Sequence, residues 1–182
     1  NLQRQIVHTT AGIGSAKVDS ARDALLAINP GVEVIALPER ASAERLSDIV
    51  RGATVVLDCS DNFTTRHALN RACFAHGVPL VSGAAIRFDA QLSVYDPRVA
   101  TSPCYACLFP EGQRFEDAAC STMGVFAPLV GIAGSMQAAE ALKLITGAGA
   151  PLTGRLSMLD GRRMEWTTIA VARDPQCPTC KD

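Results

Sequence analysis

Ala53-Thr54-Val55-Val56-Leu57-Asp58-Cys59 (ATVVLDC) is the stretch whose reading decides the fold. It is nearly all apolar and does not alternate, which belongs to a strand buried on both faces of a parallel sheet. Downstream, Asn62 to His76 reads as a helix and Val78 to Gly83 (VPLVSG) as a second buried strand. Upstream, Ser42 can cap a short helix running to about Arg51. Before it, Val32 to Leu37 alternates as a strand. Ser15 to Ile28 places Ala16, Val18, Ala21, Leu25 and Ile28 at near-helical spacing, and Asn29-Pro30-Gly31 stops that helix. The β-α-β-α-β rhythm argues for half of a doubly wound α/β sheet.

The pattern then changes. Ala85 to Tyr95 and Arg155 to Ala172 read as longer antiparallel strands. A helix is expected from about Val125 to Thr146, with Pro128 in its first turn, where a missing N–H costs little. Most of its circumference is apolar, and Gly131, Gly134 and Ala138 permit close approach. Such a helix is buried in the core or at a subunit interface. Phe109 to Thr122 lacks a periodic apolar pattern and is expected to be mobile.

Two cysteine pairs, Cys104-x-x-Cys107 and Cys177-x-x-Cys180, interrupt this framework. Each pair can aim two thiolates at one ion from a tight turn, and together they supply four soft ligands for a closed tetrahedral zinc site. Pro103, Pro175 and Pro178 flank the pairs, as suits rigid knuckles. A redox dithiol and disulfides are the competing readings. A closed four-thiolate site leaves no position for a substrate, so this zinc is structural. It would staple the C-terminal tail to the body of the fold.

At 182 residues, 48% hydrophobic and 19% charged, the chain suits one domain with a real core. A net charge of −1 gives no reason to expect a nucleic-acid or membrane surface. The seven cysteines without a signal peptide point to a reducing cytoplasm. The opening Asn1-Leu2-Gln3-Arg4-Gln5 has no initiator Met and reads as the later part of a longer polypeptide.

Asp58-Cys59-Ser60-Asp61-Asn62 directly follows the first buried strand, and ligands of open α/β sheets bind at the carboxyl ends of strands. Asp61 could there hold a magnesium ion bridging nucleotide phosphates, and Asn62 would open the next helix, where free N–H groups favour an anion. On spacing alone, simple capping of that helix by Asp61 and Asn62 is the favoured reading. Arg4 and Lys17 are candidate phosphate clamps. Lys17 lies near a helix start, a poor place for a cation unless an anion binds there. Taken singly, each reads first as a solvated surface charge. Cys120, ahead of a helix N-terminus, could be a low-pKa nucleophile. Cys59 and Cys73 read as small core residues, and His8, His67 and His76 show no ligand spacing.

In combination these segments resemble the ThiF/MoeB/HesA family, relatives of ubiquitin-activating E1 enzymes. The resemblance runs through Asn1-Leu2-Gln3-Arg4-Gln5, Gly14-Ser15-Ala16-Lys17-Val18, Asp58-Cys59-Ser60-Asp61-Asn62, Pro79-Leu80-Val81-Ser82-Gly83-Ala84 and Cys104-Tyr105-Ala106-Cys107. It continues through Gly124-Val125-Phe126-Ala127-Pro128-Leu129-Val130-Gly131 and Cys177-Pro178-Thr179-Cys180, covering essentially the whole chain. The resemblance implies an α/β fold, an incomplete doubly wound Rossmann-like sheet continuing into antiparallel strands, with a four-cysteine structural zinc site. Residues 1–182 would be the C-terminal portion of one E1-like adenylation domain, the first β-α-β unit with its glycine-rich nucleotide loop lying upstream. As given, the chain should therefore bind ATP poorly and be inactive alone.

The implied activity is ATP-dependent adenylation of the C-terminal glycine of a ubiquitin-fold sulfur carrier ending in Gly-Gly, serving molybdopterin or thiamine (thiazole) synthesis. In that role Asn1, Leu2, Gln3, Arg4 and Gln5 line the nucleotide, Lys17 binds phosphate, and Asp61, beside Asn62, orients Mg–ATP. Cys104, Cys107, Cys177 and Cys180 match the family's zinc ligands, and Cys120 its loop cysteine, which in some members links covalently to the carrier. The residue before it is Ala119, where many relatives carry Thr. The family also implies a homodimer. Two other classes compete: a non-catalytic module that docks a ubiquitin-like tail, and a nicotinamide-dependent oxidoreductase. The latter explains neither the zinc staple nor the Asn1–Gln5 segment, and no dinucleotide fingerprint is present.

Overall fold

The computed structural model describes residues 1–112 and 123–181. They form two compact units, Asn1–Ala41 and Ser42–Asp182.

In the first unit the opening residues make a tight turn, with the Arg4 and Gln5 amides donating to the Asn1 carbonyl at 3.1 and 3.0 Å. A 3-10 turn, Thr10–Gly12, leads to helix α1, Lys17–Ile28. The apolar spacing read from the sequence lies on this helix, yet Leu25 and Ile28 are 44% and 81% exposed. Val32 to Leu37 is not a strand. A strand requires a ladder partner, and residues 1–41 contain no other strand to supply one.

The second unit is a five-stranded mixed sheet in the order β1-β2-β3-β4-β5: Val56–Asp58, Leu80–Ile86, Asp89–Tyr95, Arg155–Asp160 and Glu165–Ala170. β1 and β2 run parallel and the other pairs antiparallel. Ser42 caps α2 (Ala43–Val50), its side chain accepting from the Arg45 amide. α3 (Phe63–His76) provides the crossover from β1 to β2 and ends on Gly77 in the left-handed conformation. α4 is the single turn Tyr105–Leu108, and α5 is Ala127–Thr146.

Arg155 to Ala172, read as extended throughout, is the β4–β5 hairpin, and Ala85 to Tyr95 takes in the end of β2, a turn and β3. Ile86 faces Asp89 across a two-residue turn in which Arg87 takes φ 51. Asp160 faces Glu165 across a turn containing Met164 at φ 57. Neither of these turn positions carries the glycine or asparagine that announces such a φ in a sequence.

Alternation along the strands sorts the core onto two faces. Leu80 and Tyr95 pack with Val50, Cys73 and Tyr105 under α2 and α3. Val81, Leu92 and Val94 turn the other way, toward Met136 and Leu144 of α5. α5 itself buries one side, Leu129, Ala133, Gln137, Glu140 and Ala141. Gly131, Gly134, Ala138, Leu142 and Ile145 on its other side are exposed. No helix among the described residues is long and apolar enough to cross a membrane.

Candidate metal centre and active-site cleft

The four predicted metal ligands converge. The sulfurs of Cys104, Cys107, Cys177 and Cys180 all lie within 4.8 Å of one another. Cys104 Sγ is 3.6 Å from Cys177 Sγ and 3.9 Å from Cys107 Sγ, and Cys107 Sγ is 3.4 Å from Cys180 Sγ. A disulfide requires about 2.05 Å. Four sulfurs each about 2.3 Å from one tetrahedral centre would stand about 3.8 Å apart, so the geometry suits a shared ion and not two disulfides.

The surroundings suit it as well. N–H groups point at the sulfurs, among them Asn70 Nδ2 to Cys104 at 3.5 Å, and the Cys104 and Asp174 amides to Cys107, each at 3.4 Å. Such donors offset the negative charge of a tetrathiolate. Burial pushes the Cys104 thiol up to about 11, against the Asn70 bond, which favours the thiolate. Asn70 also accepts the Tyr105 amide at 2.9 Å, which ties the first knuckle to α3. Arg173 holds the second knuckle by donating to the Cys180 carbonyl and, at 2.7 Å, to that of Ala100.

Asp61 and Asn62 sit elsewhere in this unit, on the wall of a cleft of about 630 Å³. Its floor is the sheet face opposite α5, bearing Asp89, Gln91, Met158, Asp160, Glu165 and Thr167. Asn62 does cap α3, its Oδ1 accepting from the Thr65 amide at 2.8 Å. Asp61 is exposed. Among the described residues the four cysteines are the only group of three or more convergent metal ligands. A hard cation at Asp61 would therefore need oxygens from a ligand and from water, as Mg²⁺ readily accepts.

Sequence reasoning passed over the residues that shape this loop. Asp58 is 1% exposed, and its Oδ1 accepts from the Ser60 amide at 2.9 Å and the Ser60 hydroxyl at 2.6 Å. Ser82 Oγ donates to its other oxygen at 3.3 Å, and Arg66 Nε lies 3.9 Å from that oxygen. Arg66 also donates to the Ser60 carbonyl at 2.7 Å and lines the cleft. Only the one-four spacing of Asp58 and Asp61 could have hinted at a division of labour, one carboxylate inward and one outward.

The floor also carries Asp89, Asp160 and Glu165 in a row. Asp89 pairs with Asp160 and Asp160 with Glu165 across three strands. Like charges directly opposed weaken a sheet.

In the first unit, Lys17 is the exposed first residue of α1, as expected, and Arg4 lies in the opening turn with Asn1, Leu2, Gln3 and Gln5. Cys120 lies outside the described residues, as does most of the segment expected to be mobile. Cys73 is a buried core residue, its thiol pushed up to about 12 by burial. Cys59, read as core, is not: it follows β1 and is exposed, with its thiol donating to Gln137 at 3.5 Å. The histidines have local partners. His8 meets Ser20 at 3.1 Å, His76 meets Ser47 at 2.7 Å, and His67 lies 3.5 Å from Glu111, which also pairs with Arg71.

The ThiF family profile matches residues 1–179. Molybdopterin-synthase adenylyltransferase of Salmonella typhimurium is 41% identical over 182 residues, 99% of this chain and 72% of that protein. Sulfur carrier protein ThiS adenylyltransferase of Escherichia coli is 42% identical over 180 residues, 99% of this chain and 70% of that one. Among solved structures, E. coli MccB with ATP superimposes with a TM-score of 0.80 at 22% identity, covering 99% of this chain and 54% of that one. That likeness speaks for the fold alone. The chain spans about half the length of such structures and about seven tenths of the matched adenylyltransferases. With a profile match along nearly its whole length and relatives above 40% identity that are adenylyltransferases, the chain belongs to the ThiF family.

Proposed function

We propose that this chain is the larger part of an enzyme that adenylates the C-terminal glycine of a ubiquitin-fold sulfur carrier. The observation that carries the reading is Asp61, exposed on the wall of an open cleft at the carboxyl end of β1, in a chain of this family. The relatives include adenylyltransferases named for molybdopterin synthase and for ThiS, so the reading extends to the carrier class and not to one pathway.

In the reaction, a carboxylate oxygen of the carrier's terminal glycine attacks the α-phosphorus of ATP in line. A C–O–P bond forms, the bond to the bridging oxygen breaks, and pyrophosphate leaves with the electron pair. Negative charge grows on the phosphoryl oxygens and on the leaving group. Arg4 and Lys17 are assigned as the cations that offset it, with Asn1, Leu2, Gln3 and Gln5 lining the nucleotide. Lys17 at a helix N-terminus is the arrangement expected of a cation kept for a bound anion. Asp61 is assigned to hold Mg²⁺, which when bound supplies charge neutralisation at the phosphates.

The four cysteines are assigned to structural zinc, a site suited to a reducing cytoplasm. Cys120 is assigned as the family's loop cysteine, and the exposed side of α5, with Gly131, Gly134 and Leu142, as a contact with a second copy. Sedimentation equilibrium reads the latter.

The decisive experiment is carrier-dependent ATP–pyrophosphate exchange by the full-length polypeptide, offered ubiquitin-fold carriers ending in Gly-Gly. Exchange that is lost in Asp61→Ala and retained in Cys120→Ala supports adenylation with a later role, or none, for the thiol. Absence of exchange with every carrier, from folded and zinc-loaded protein, refutes it and leaves a docking module.

A further inference from the structure

Gln137 is a polar residue in the middle of the buried face of α5, one turn before Glu140, and it is 3% exposed. Burying an amide is costly unless its hydrogen bonds are made. Here they are: Nε2 donates to the Asp58 carbonyl at 2.8 Å and to the Val81 carbonyl at 3.2 Å, and Oε1 accepts from Cys59 Sγ at 3.5 Å. All three partners lie where the parallel pair approaches its carboxyl end. β1 stops at Asp58, so Gln137 captures the last carbonyl of that strand and fixes the direction in which the chain leaves it.

The same turn is held from the opposite face of the sheet by the Asp58 carboxylate, through Ser60 and Ser82. Gly83 completes the fit, since a Cβ there would stand 2.5 Å from Gln137 Cδ. A leucine would fill the volume and leave the Asp58 carbonyl without this donor.

We propose that Gln137 is a positioning residue for the adenylation reaction: from α5, its amide anchors the carboxyl end of β1 and so sets the loop that presents Asp61 and Asn62 to the cleft. This rests on the adenylation reading, and the test separates the two.

The comparison is between the zinc-loaded full-length polypeptide and Gln137→Met, which keeps the volume and loses the donors. Two readouts are taken, amide hydrogen exchange across residues 58–62 and carrier-dependent ATP–pyrophosphate exchange at varied Mg²⁺. The expected result is exchange at least about 10-fold faster in 58–62, with α5 and the cysteine knuckles unchanged. Turnover should fall by about 10²-fold, as for a 1 Å misplacement, with a raised Mg²⁺ half-saturation and an unaltered KM for the carrier.

In an Asp61→Asn background, Gln137→Met should add little, because the two act as one unit. Unchanged protection at 58–62, uniform loosening of the whole fold, or losses that multiply with those of Asp61→Asn would overturn the proposal. Should Gln137→Met fold poorly, Gln137→Asn gives a second reading, since it keeps the amide but withdraws it by one methylene. A wild type that exchanges no pyrophosphate defeats the adenylation reading alone, and the anchoring of the loop is then decided by hydrogen exchange.

Discussion

The cysteine centre and the Asp61 cleft belong to one compact unit and are built on opposite plans. At the centre, Cys104, Cys177 and Cys180 are buried, and the Asn70 side chain and the Asp174 amide point inward at sulfur. At the cleft, Asp61 stands exposed over a floor of carboxylates aligned against their own repulsion. The first arrangement saturates itself and makes structure. The second leaves the Asp61 carboxylate facing solvent on a cleft wall, open to a ligand. Location alone does not separate them, for both are served by α3: Asn70 reaches the knuckle, while Asn62 and Arg66 line the cleft.

The sharpest way to break this contrast is at the four cysteines. Cys104→Ser, or a strong chelator, should destabilise the second unit by several kcal/mol, given the ~10 kcal/mol scale of structural zinc binding. Thermal melting with parallel zinc quantitation checks it, and an unchanged melt would make the centre as dispensable as a surface loop. At the cleft the opposite is expected. Asp61→Ala should cut exchange by about 10²–10³-fold while leaving Tm within a degree or two, because no fold contact is lost.

A smaller effect lies between the two regions. Burial holds His67 below the usual histidine range, with Glu111 pulling the other way. The unfolded chain therefore takes up this proton first, and stability should decline as pH falls from about 6.5 toward the lower folded value, then level off. Tm measured from pH 7.5 to 5 should slope less in His67→Gln. The smallest expected change is a gain. Glu165→Gln removes one carboxylate from the row and should stabilise the sheet by about 0.2–1 kcal/mol, read by urea denaturation. A loss there would mean the row is held by pairing that outweighs repulsion.

What could be read in the sequence was whatever is encoded locally. Ser42 and Asn62 announce their helices because a cap is a contact over three residues. The cysteine pairs announce their convergence because each knuckle is a four-residue rule, although 73 positions separate their contacting sulfurs. Arg87 takes a left-handed turn with no glycine or asparagine to announce it, so the sequence reading misplaces the boundary between β2 and β3. It also reads through the β4–β5 turn, opened by Asp160-Gly161, as strand. Val32 to Leu37 has a strand's alternation, but alternation cannot provide the neighbour. Gln137 was invisible for the opposite reason: its meaning lies 79 residues away, at the Asp58 carbonyl.

The distance between the knuckles also governs the order of events at the ribosome. Cys104 and Cys107 emerge long before Cys177 and Cys180, with α5 and the β4–β5 hairpin synthesised in between. A half-built site has two thiolates and no grip on zinc comparable to four. With zinc bound at these cysteines as proposed, metal capture would act as a completion signal, available only to a chain that has already made its antiparallel half. Closing so long a loop removes about 4 kcal/mol of chain entropy from the unfolded state by the cross-link relation. Chains interrupted anywhere in that interval would lack two of the four thiols and so could not form that lock.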